Sequence, residues 1–150
     1  MHIYRFVFSF VFLLSTSTVF SQTNPPPMSM PDKANSVLVD SLIRITNHEQ
    51  FFIDYCTKKV TEHATLNNWP QSKTEKILKS IKFKYYDDTI YNSYAWYSTE
   101  ELRKLLDTLL LLNKKSSKGT RLILTNSMMQ SNLDLFVKGV IEGKYVMSSD

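Results

Sequence analysis

Residues Trp96 to Gly119 read WYSTEELRKLLDTLLLLNKKSSKG, and this stretch decides the predicted fold. Ser98 and Glu101 form a capping box, in which the serine oxygen accepts from the third helical N–H and the glutamate reaches back to the cap. Leucines follow at spacings of three and four, which is the pattern of one broad helical face. They are Leu102, Leu105, Leu106, Leu109 and Leu110, and Leu111 and Leu112 widen the apolar arc. We therefore expect a central core helix that is contacted on two sides.

The composition favours a single all-α domain. The chain has 150 residues, of which 43% are hydrophobic, with only three glycines and five prolines. Few helix breakers and long periodic runs predict a small bundle of about five helices. The net charge of +4 is too small an excess to indicate nucleic acid as a partner.

The first 21 residues have the pattern of a cleaved secretory signal peptide. His2 and Arg5 precede an apolar run from Phe6 to Leu14, and Ser21 is a small residue before the predicted cleavage. A spanning helix needs about 20 apolar residues, so the run is too short to cross a bilayer. We expect export to the periplasm or beyond, with an uncleaved membrane anchor as the alternative.

Three further segments complete the predicted organisation. Residues 22–32 form a proline-rich flexible leader, because Pro25 to Pro27 favour extended polyproline geometry. Residues 33–143 form the helical domain, and residues 144–150 form a frayed tail. Cys56 is the only cysteine, so an internal disulfide is excluded and stability must come from packing.

The periodic segments predict four helices besides the central one. The first runs from Lys33 to Ile45, with Val37, Leu38, Leu42 and Ile45 on its apolar side. The second starts at an Asn47–Gln50 capping box and ends near Leu66. The third starts at a Ser72–Glu75 box and runs to Ala95, with a kink or break at Asp87–Asp88. After a turn at Ser116–Gly119, the fifth runs from Thr120 to Gly143, with a packing seam of Leu122, Asn126, Met129, Leu133, Phe136 and Val140.

Two motifs resemble a known exported bacterial helical family, catalogued as domain of unknown function 2059. One is a tyrosine-rich helix that runs into Tyr97-Ser98-Thr99-Glu100-Glu101-Leu102. The other is the small-residue turn Ser116 to Arg121, which has Ser117 where the family usually has a proline. The resemblance covers roughly residues 37–140. It implies a helical bundle and export, and it supplies no catalytic residues.

His48, Cys56 and His63 are the only soft metal ligands of the predicted mature chain apart from methionines. All three fall on the second predicted helix. Cys56 and His63 are about 10 Å apart along its axis, because each residue rises about 1.5 Å. A zinc site needs three or four converging ligands, and a nucleophile must lie within hydrogen-bond reach of its base. We therefore predict no metal site, no cofactor and no catalytic pair here.

An aromatic cluster is the candidate partner surface, because tyrosine and tryptophan combine apolar area with a polar tip. Its residues are Tyr86, Tyr91, Tyr94, Trp96 and Tyr97. The alternative is that these rings pack in the core. The third helix also carries lysines, which predict a solvated face or weak attraction to an anionic surface. They are Lys73, Lys76, Lys79, Lys82 and Lys84.

These features support two hypotheses of different classes. The first is a non-enzymatic exported domain that binds another envelope or secreted protein. The second is a small envelope hydrolase. An enzyme predicts a concave pocket with converging polar groups and perturbed ionisable residues. A binding module predicts an exposed aromatic patch.

Overall fold

The computed structural model describes residues 29–115 and 122–146, and these residues are all-helical, without a β-strand. The predicted signal peptide, most of the predicted leader, the predicted turn at 116–119 and the end of the tail lie outside the described residues. The six α-helices are α1 (Lys33–Thr46), α2 (His48–Leu66), α3 (Gln71–Lys79), α4 (Asp87–Tyr94), α5 (Thr99–Lys115) and α6 (Ser127–Ile141). A short 3-10 helix, Phe83–Tyr85, precedes α4.

The core is built around α2, which packs against α1, α3, α6 and the 3-10 helix. The Phe52 side chain of α2 is fully buried. Its ring centroid lies 5.2 Å from that of Tyr86, 5.1 Å from that of Phe136 and 5.5 Å from that of Phe83. Offset aromatic contacts at such distances add to the free energy gained from burial. One aromatic cluster therefore joins α2 to α6 and to the segment before α4.

The predicted first helix is confirmed, but its buried face differs from the prediction. Asp32 caps α1, and its carboxylate accepts from the Asn35 backbone N–H at 2.8 Å. Val37 is 60% exposed. The buried stripe has spacings of four, three and four and consists of Asn35, Val39, Leu42 and Thr46. Two polar residues occupy this stripe, which is why apolar periodicity alone misplaced it.

The predicted capping boxes of the second and third helices are wrong. Asn47 has φ of 55° and makes no side-chain cap bond to α2, and Gln50 instead donates to Asp54 at 2.8 Å. Asn47 serves as the left-handed end of α1, a role that asparagine tolerates well. α3 begins at Gln71, directly after Pro70, two residues earlier than a Ser72 cap allows. Proline there has no N–H to leave unsatisfied and its φ of −58° suits a helix start.

The third predicted helix is interrupted near Asp87–Asp88, where a kink or break was predicted, but the interruption begins earlier, after Lys79. α3 ends at Lys79, where the Ser80 hydroxyl donates to the Ile77 carbonyl at 2.7 Å. Asp87 and Asp88 begin α4, where acidic side chains favour the positive end of the helix dipole. The break turns one predicted helix into two, so the described residues form six α-helices where five were expected.

The start of the central helix is confirmed, whereas its predicted packing is wrong. The Ser98 backbone N–H donates to Glu101 at 2.8 Å, and the Glu101 N–H donates to the Ser98 hydroxyl at 3.3 Å. Leu102 and Leu109 are buried. Leu110, Leu111 and Leu112 are between 41% and 54% exposed. Among the described helices, α5 packs mainly along α1, and one partner covers only one stripe of a helix.

The last helix starts seven residues later than predicted. The Asn126 side chain caps α6 and accepts from the Met129 N–H at 2.8 Å, while residues 122–126 are not helical. The part of the predicted seam within α6 is confirmed, since Met129, Leu133, Phe136 and Val140 are buried. Gly143, with φ of 80°, follows the helix end. No helix in the described ranges is long and apolar enough to cross a membrane.

Candidate functional site

Two of the five predicted surface aromatics are core residues, so that part of the prediction is wrong. Tyr86 is 3% exposed and Tyr94 is 8% exposed. The Tyr86 ring stacks on Phe52, and its hydroxyl donates to the Met129 carbonyl at 2.8 Å. Burial raises the pKa of Tyr86 to about 12 and also raises the pKa of Tyr94. Both rings stabilise the bundle and offer nothing to a partner.

Tyr91 ties two helices together. Its side chain is half-buried, and its hydroxyl donates to the Asp40 carboxylate across the α1–α4 contact. That hydrogen bond, together with burial, raises the pKa of Tyr91 to about 12. The hydroxyl therefore stays protonated at neutral pH and serves an internal contact.

The remaining two aromatics, Trp96 and Tyr97, lie on the surface. Trp96 is 84% exposed and Tyr97 is 43% exposed. Both belong to the connection between α4 and α5, residues Ala95 to Ser98, which we call the aromatic turn. The Tyr97 ring meets the buried Tyr94 ring edge-on at 5.4 Å. The aromatic turn thus joins the core on one side and projects an indole into solvent on the other.

A hydrogen-bond network through Asn35 fixes the aromatic turn. The Asn35 amide donates to the Tyr97 carbonyl at 3.0 Å, and its carbonyl oxygen accepts from the Thr99 hydroxyl at 2.7 Å. The Tyr97 N–H donates to the Tyr94 carbonyl at 3.1 Å. Asn35 is buried, so loss of these bonds would leave its amide unsatisfied at a cost of about 1–3 kcal/mol. The backbone that carries Trp96 is therefore held on both sides.

Asn35 was not among the residues predicted from the sequence to build the site. A signal was present: Asn35 precedes Val39, Leu42 and Thr46 at helical spacing. A polar residue in register with an apolar stripe is buried, and a buried amide needs partners. The identity of those partners could not be read from the sequence, because Tyr97 and Thr99 are more than sixty residues away.

The chain before α1 also lies against α4. The Asn92 side-chain amide donates to the Ser29 carbonyl at 3.0 Å. Met30, the next residue, is half exposed, and Pro31 is buried. Asn92 lies one helical turn before Trp96, so an exposed methionine and an exposed indole are both supported by this end of α4.

The three candidate metal ligands stay apart on α2. His48 and Cys56 are buried, whereas His63 is half-buried with its ring 5.1 Å from that of Trp69. Burial lowers the pKa of His48 to about 4 and raises the pKa of Cys56 to about 12. In the part of the chain that the structure describes, no three His, Cys, Asp or Glu side chains are grouped to hold a metal ion.

A partly polar concave surface lies beside α2. A cleft of about 500 Å³ is lined partly by Asn47, Asp54, Tyr55 and Lys58. The Tyr55 hydroxyl donates to Asp134 at 2.7 Å and accepts from the Gln130 amide at 3.1 Å. The hydrogen bond to Asp134 raises the pKa of Tyr55, so this hydroxyl is a donor rather than a base. The arrangement links α2 to α6 and does not activate a nucleophile.

The lysines around α3 are exposed, as predicted for a solvated face. Lys76, Lys79 and Lys82 line a shallow cleft of about 350 Å³ beside Tyr85 and Tyr145. Lys76 and Lys79 occupy the last turn of α3, where cations favour the negative end of the helix dipole. Lys73 places its ammonium 3.9 Å from the centre of the Trp69 ring. The helix dipole therefore stabilises Lys76 and Lys79 in their positions, and a cation–π contact stabilises Lys73.

The fold and the site define a small all-helical domain that presents an aromatic turn. No protein-family model, curated protein or solved structure matches this chain. The resemblance to the exported bacterial helical family therefore stays a hypothesis, based on Tyr97 to Leu102 and Ser116 to Arg121.

Proposed function

We propose that this chain is a non-enzymatic, exported helical module that binds a partner protein of the cell envelope through the aromatic turn. The observation that carries the proposal is the Trp96 side chain, 84% exposed on a hydrogen-bonded connection. Large apolar side chains at such exposure cost solvation free energy, and tryptophan is one of the residues enriched among binding hot spots.

The supported backbone makes the turn suited to binding. Ordering a loop on association costs free energy, and a loop that is already ordered avoids this cost. Asn35 and the Ser98–Glu101 capping box hold the end of the aromatic turn next to α5. The hydrogen bond from the Tyr97 N–H to the Tyr94 carbonyl holds the turn to the end of α4. Tyr97 adds a half-exposed ring with a polar tip beside the indole. A partner would therefore meet a preformed aromatic anchor.

The test compares partner recovery by purified variants. The Trp96→Ala variant should fold with the stability of the wild-type protein, because its side chain has few contacts to lose. It should recover much less of a specific partner from solubilised envelope proteins, with a loss of at least tenfold in affinity, as expected at a hot spot. Leu66→Ala is the matched control, since Leu66 is 81% exposed on a different surface.

Fluorescence gives a second readout of the same binding. In a Trp69→Phe variant, Trp96 is the only tryptophan of the chain. Its emission should shift to shorter wavelength and resist acrylamide quenching when the recovered partner is added. If Trp96→Ala and Leu66→Ala recover the same partner equally well, or the emission does not change, the aromatic turn is not the binding surface.

Export is a separate part of the proposal and has its own measurement. Its support is the basic start, the short apolar run and Ser21 before Gln22. The mass of the exported protein should correspond to a chain that begins near Gln22. A protein that retains Met1 to Ser21 in the membrane fraction would instead be anchored.

A further inference from the structure

The outer side of α5 carries an apolar surface that the described bundle leaves uncovered. α5 packs mainly along α1, through the stripe that contains Leu102 and Leu109. On the flank next to this stripe, five residues follow at spacings of four, three, four and three: Glu101, Leu105, Thr108, Leu112 and Lys115. Leu105 is half-buried at the edge of the core, and the other four are exposed. We call them the α5 seam. Alternating spacings of three and four are those of helices that pack side by side.

The α5 seam is complementary to itself when two copies of the helix lie antiparallel. Opposite an antiparallel copy, Glu101 meets Lys115, Leu105 meets Leu112, and Thr108 meets itself on the two-fold axis. The unlike charges fall at both ends and the leucines fall between them. In a parallel pair, Glu101 would face Glu101 and Lys115 would face Lys115, and like charges repel. The charge pattern therefore selects one orientation.

From this pattern we propose that α5 is a homodimer interface, in which two copies of the chain pair their α5 helices antiparallel. The acidic start and basic end of α5 also suit its own dipole. The dipole does not explain why Leu112 of the seam and its neighbour Leu111 remain 41% and 54% exposed. A second copy would cover both leucines, and a two-fold interface satisfies both chains with the same residues. This interface contains no residue of the aromatic turn itself, although Glu101 of the seam also bonds to Ser98 in the capping box.

The small size of the proposed interface determines how strongly the two copies are expected to associate. α5 has 17 residues and is about 25 Å long, so a single helix pair lies at the small end of specific interfaces. We expect association that depends on protein concentration. Sedimentation of the wild-type protein should show a monomer at low concentration and a dimer at high concentration. A monomer at every concentration would overturn the proposal.

A charge reversal tests the predicted pairing. Lys115→Glu places a second carboxylate opposite Glu101 of the other copy and should weaken the dimer at least tenfold. Lys114→Glu is the matched control, because it makes the same charge change at the same helix end but points about 100° away from the seam. Equal weakening by both variants would mean that the effect is general repulsion, and the seam would be wrong.

Cysteine cross-linking tests the orientation, and the native thiol does not interfere. Cys56 is fully buried, and burial raises its pKa to about 12. Thr108→Cys, on the axis, should form a disulfide-linked dimer under mild oxidation. Thr61→Cys is the control, an exposed threonine of α2. If Thr108→Cys links no better than Thr61→Cys, the proposed axis is wrong.

Cross-linking between two different cysteine variants distinguishes antiparallel from parallel pairing of the helices. Positions 105 and 112 are about 10 Å apart along the helix. In an antiparallel pair, Leu105→Cys should link to Leu112→Cys when the two variants are mixed, and each variant alone should link poorly. Efficient linking of each variant with itself would indicate a parallel pair and overturn the proposal.

Discussion

His48 is the residue whose burial has the clearest consequence for stability. Its side chain is 4% exposed in the first turn of α2, and its Nε2 atom has no hydrogen-bond partner among the described residues. Burial lowers the pKa of His48 to about 4, from 6.5 in an unfolded chain. The positive end of the helix dipole disfavours the imidazolium in the same direction. The folded protein therefore holds this imidazole neutral.

We predict that acid destabilises the protein through His48. Between pH 6.5 and 4 the unfolded state binds a proton that the folded state does not, so stability falls as the pH falls. The contribution is complete above about pH 6.5 and lost near pH 4, and it amounts to up to roughly 3 kcal/mol. Urea unfolding at several pH values should give a shallower dependence for His48→Gln than for the wild-type protein. Identical slopes would contradict the prediction.

At the residue scale, only part of the candidate site could be predicted from the sequence. Trp96 and Tyr97 could be predicted as surface aromatics, because a turn next to a strong helix start is exposed. Tyr86 and Tyr94 could not be distinguished from them, since all four are large aromatic residues within or just after one predicted helix. Their burial depends on Phe52 and Tyr97, whose rings they contact. Such contacts require the tertiary fold.

At the scale of elements, local signals worked where no competing side chain was present. The Ser98–Glu101 box formed as predicted. The Ser72–Glu75 box did not, because Pro70 starts α3 first and Glu75 accepts from Gln71 at 2.8 Å instead. Periodicity predicted that the leucines of α5 share a helical face, but it did not predict how deeply each leucine is buried. Burial depends on how many helices surround α5, which a single sequence does not state.

Three substitutions in α5 should differ in cost according to this packing. Leu102→Ala removes a fully buried side chain and should destabilise by about 2–5 kcal/mol. Ser98→Ala removes the cap and should destabilise by about 0.5–2 kcal/mol. Leu110→Ala, at a leucine that is 48% exposed, should cost roughly 0.5 kcal/mol. Chemical denaturation of the three variants tests the order. A cost for Leu110→Ala equal to that for Leu102→Ala would mean that α5 is rotated about its axis.

For the whole molecule, the all-α class and the single core followed from composition and periodicity, whereas the number of helices did not. No proline or glycine in residues 80–86 indicates from the sequence that the helix ends at Lys79. The break exists because Ile81 and Tyr86 turn into the core formed by α2 and α6, where both are buried. Packing across the bundle overrode the helical pattern of the segment.

The same arrangement predicts that stability is not uniform across the molecule. α2 packs against α1, α3 and α6, whereas α5 packs mainly against α1. An element with one main partner can open while the rest of the core stays intact. In dilute monomer, amide hydrogens of α5 should therefore exchange faster than those of α2 and α6. Leu102→Ala should accelerate exchange further in α5, with a smaller change around Phe52 and Phe136. Equal protection of α5 and α2 would show that the six helices unfold only as one unit.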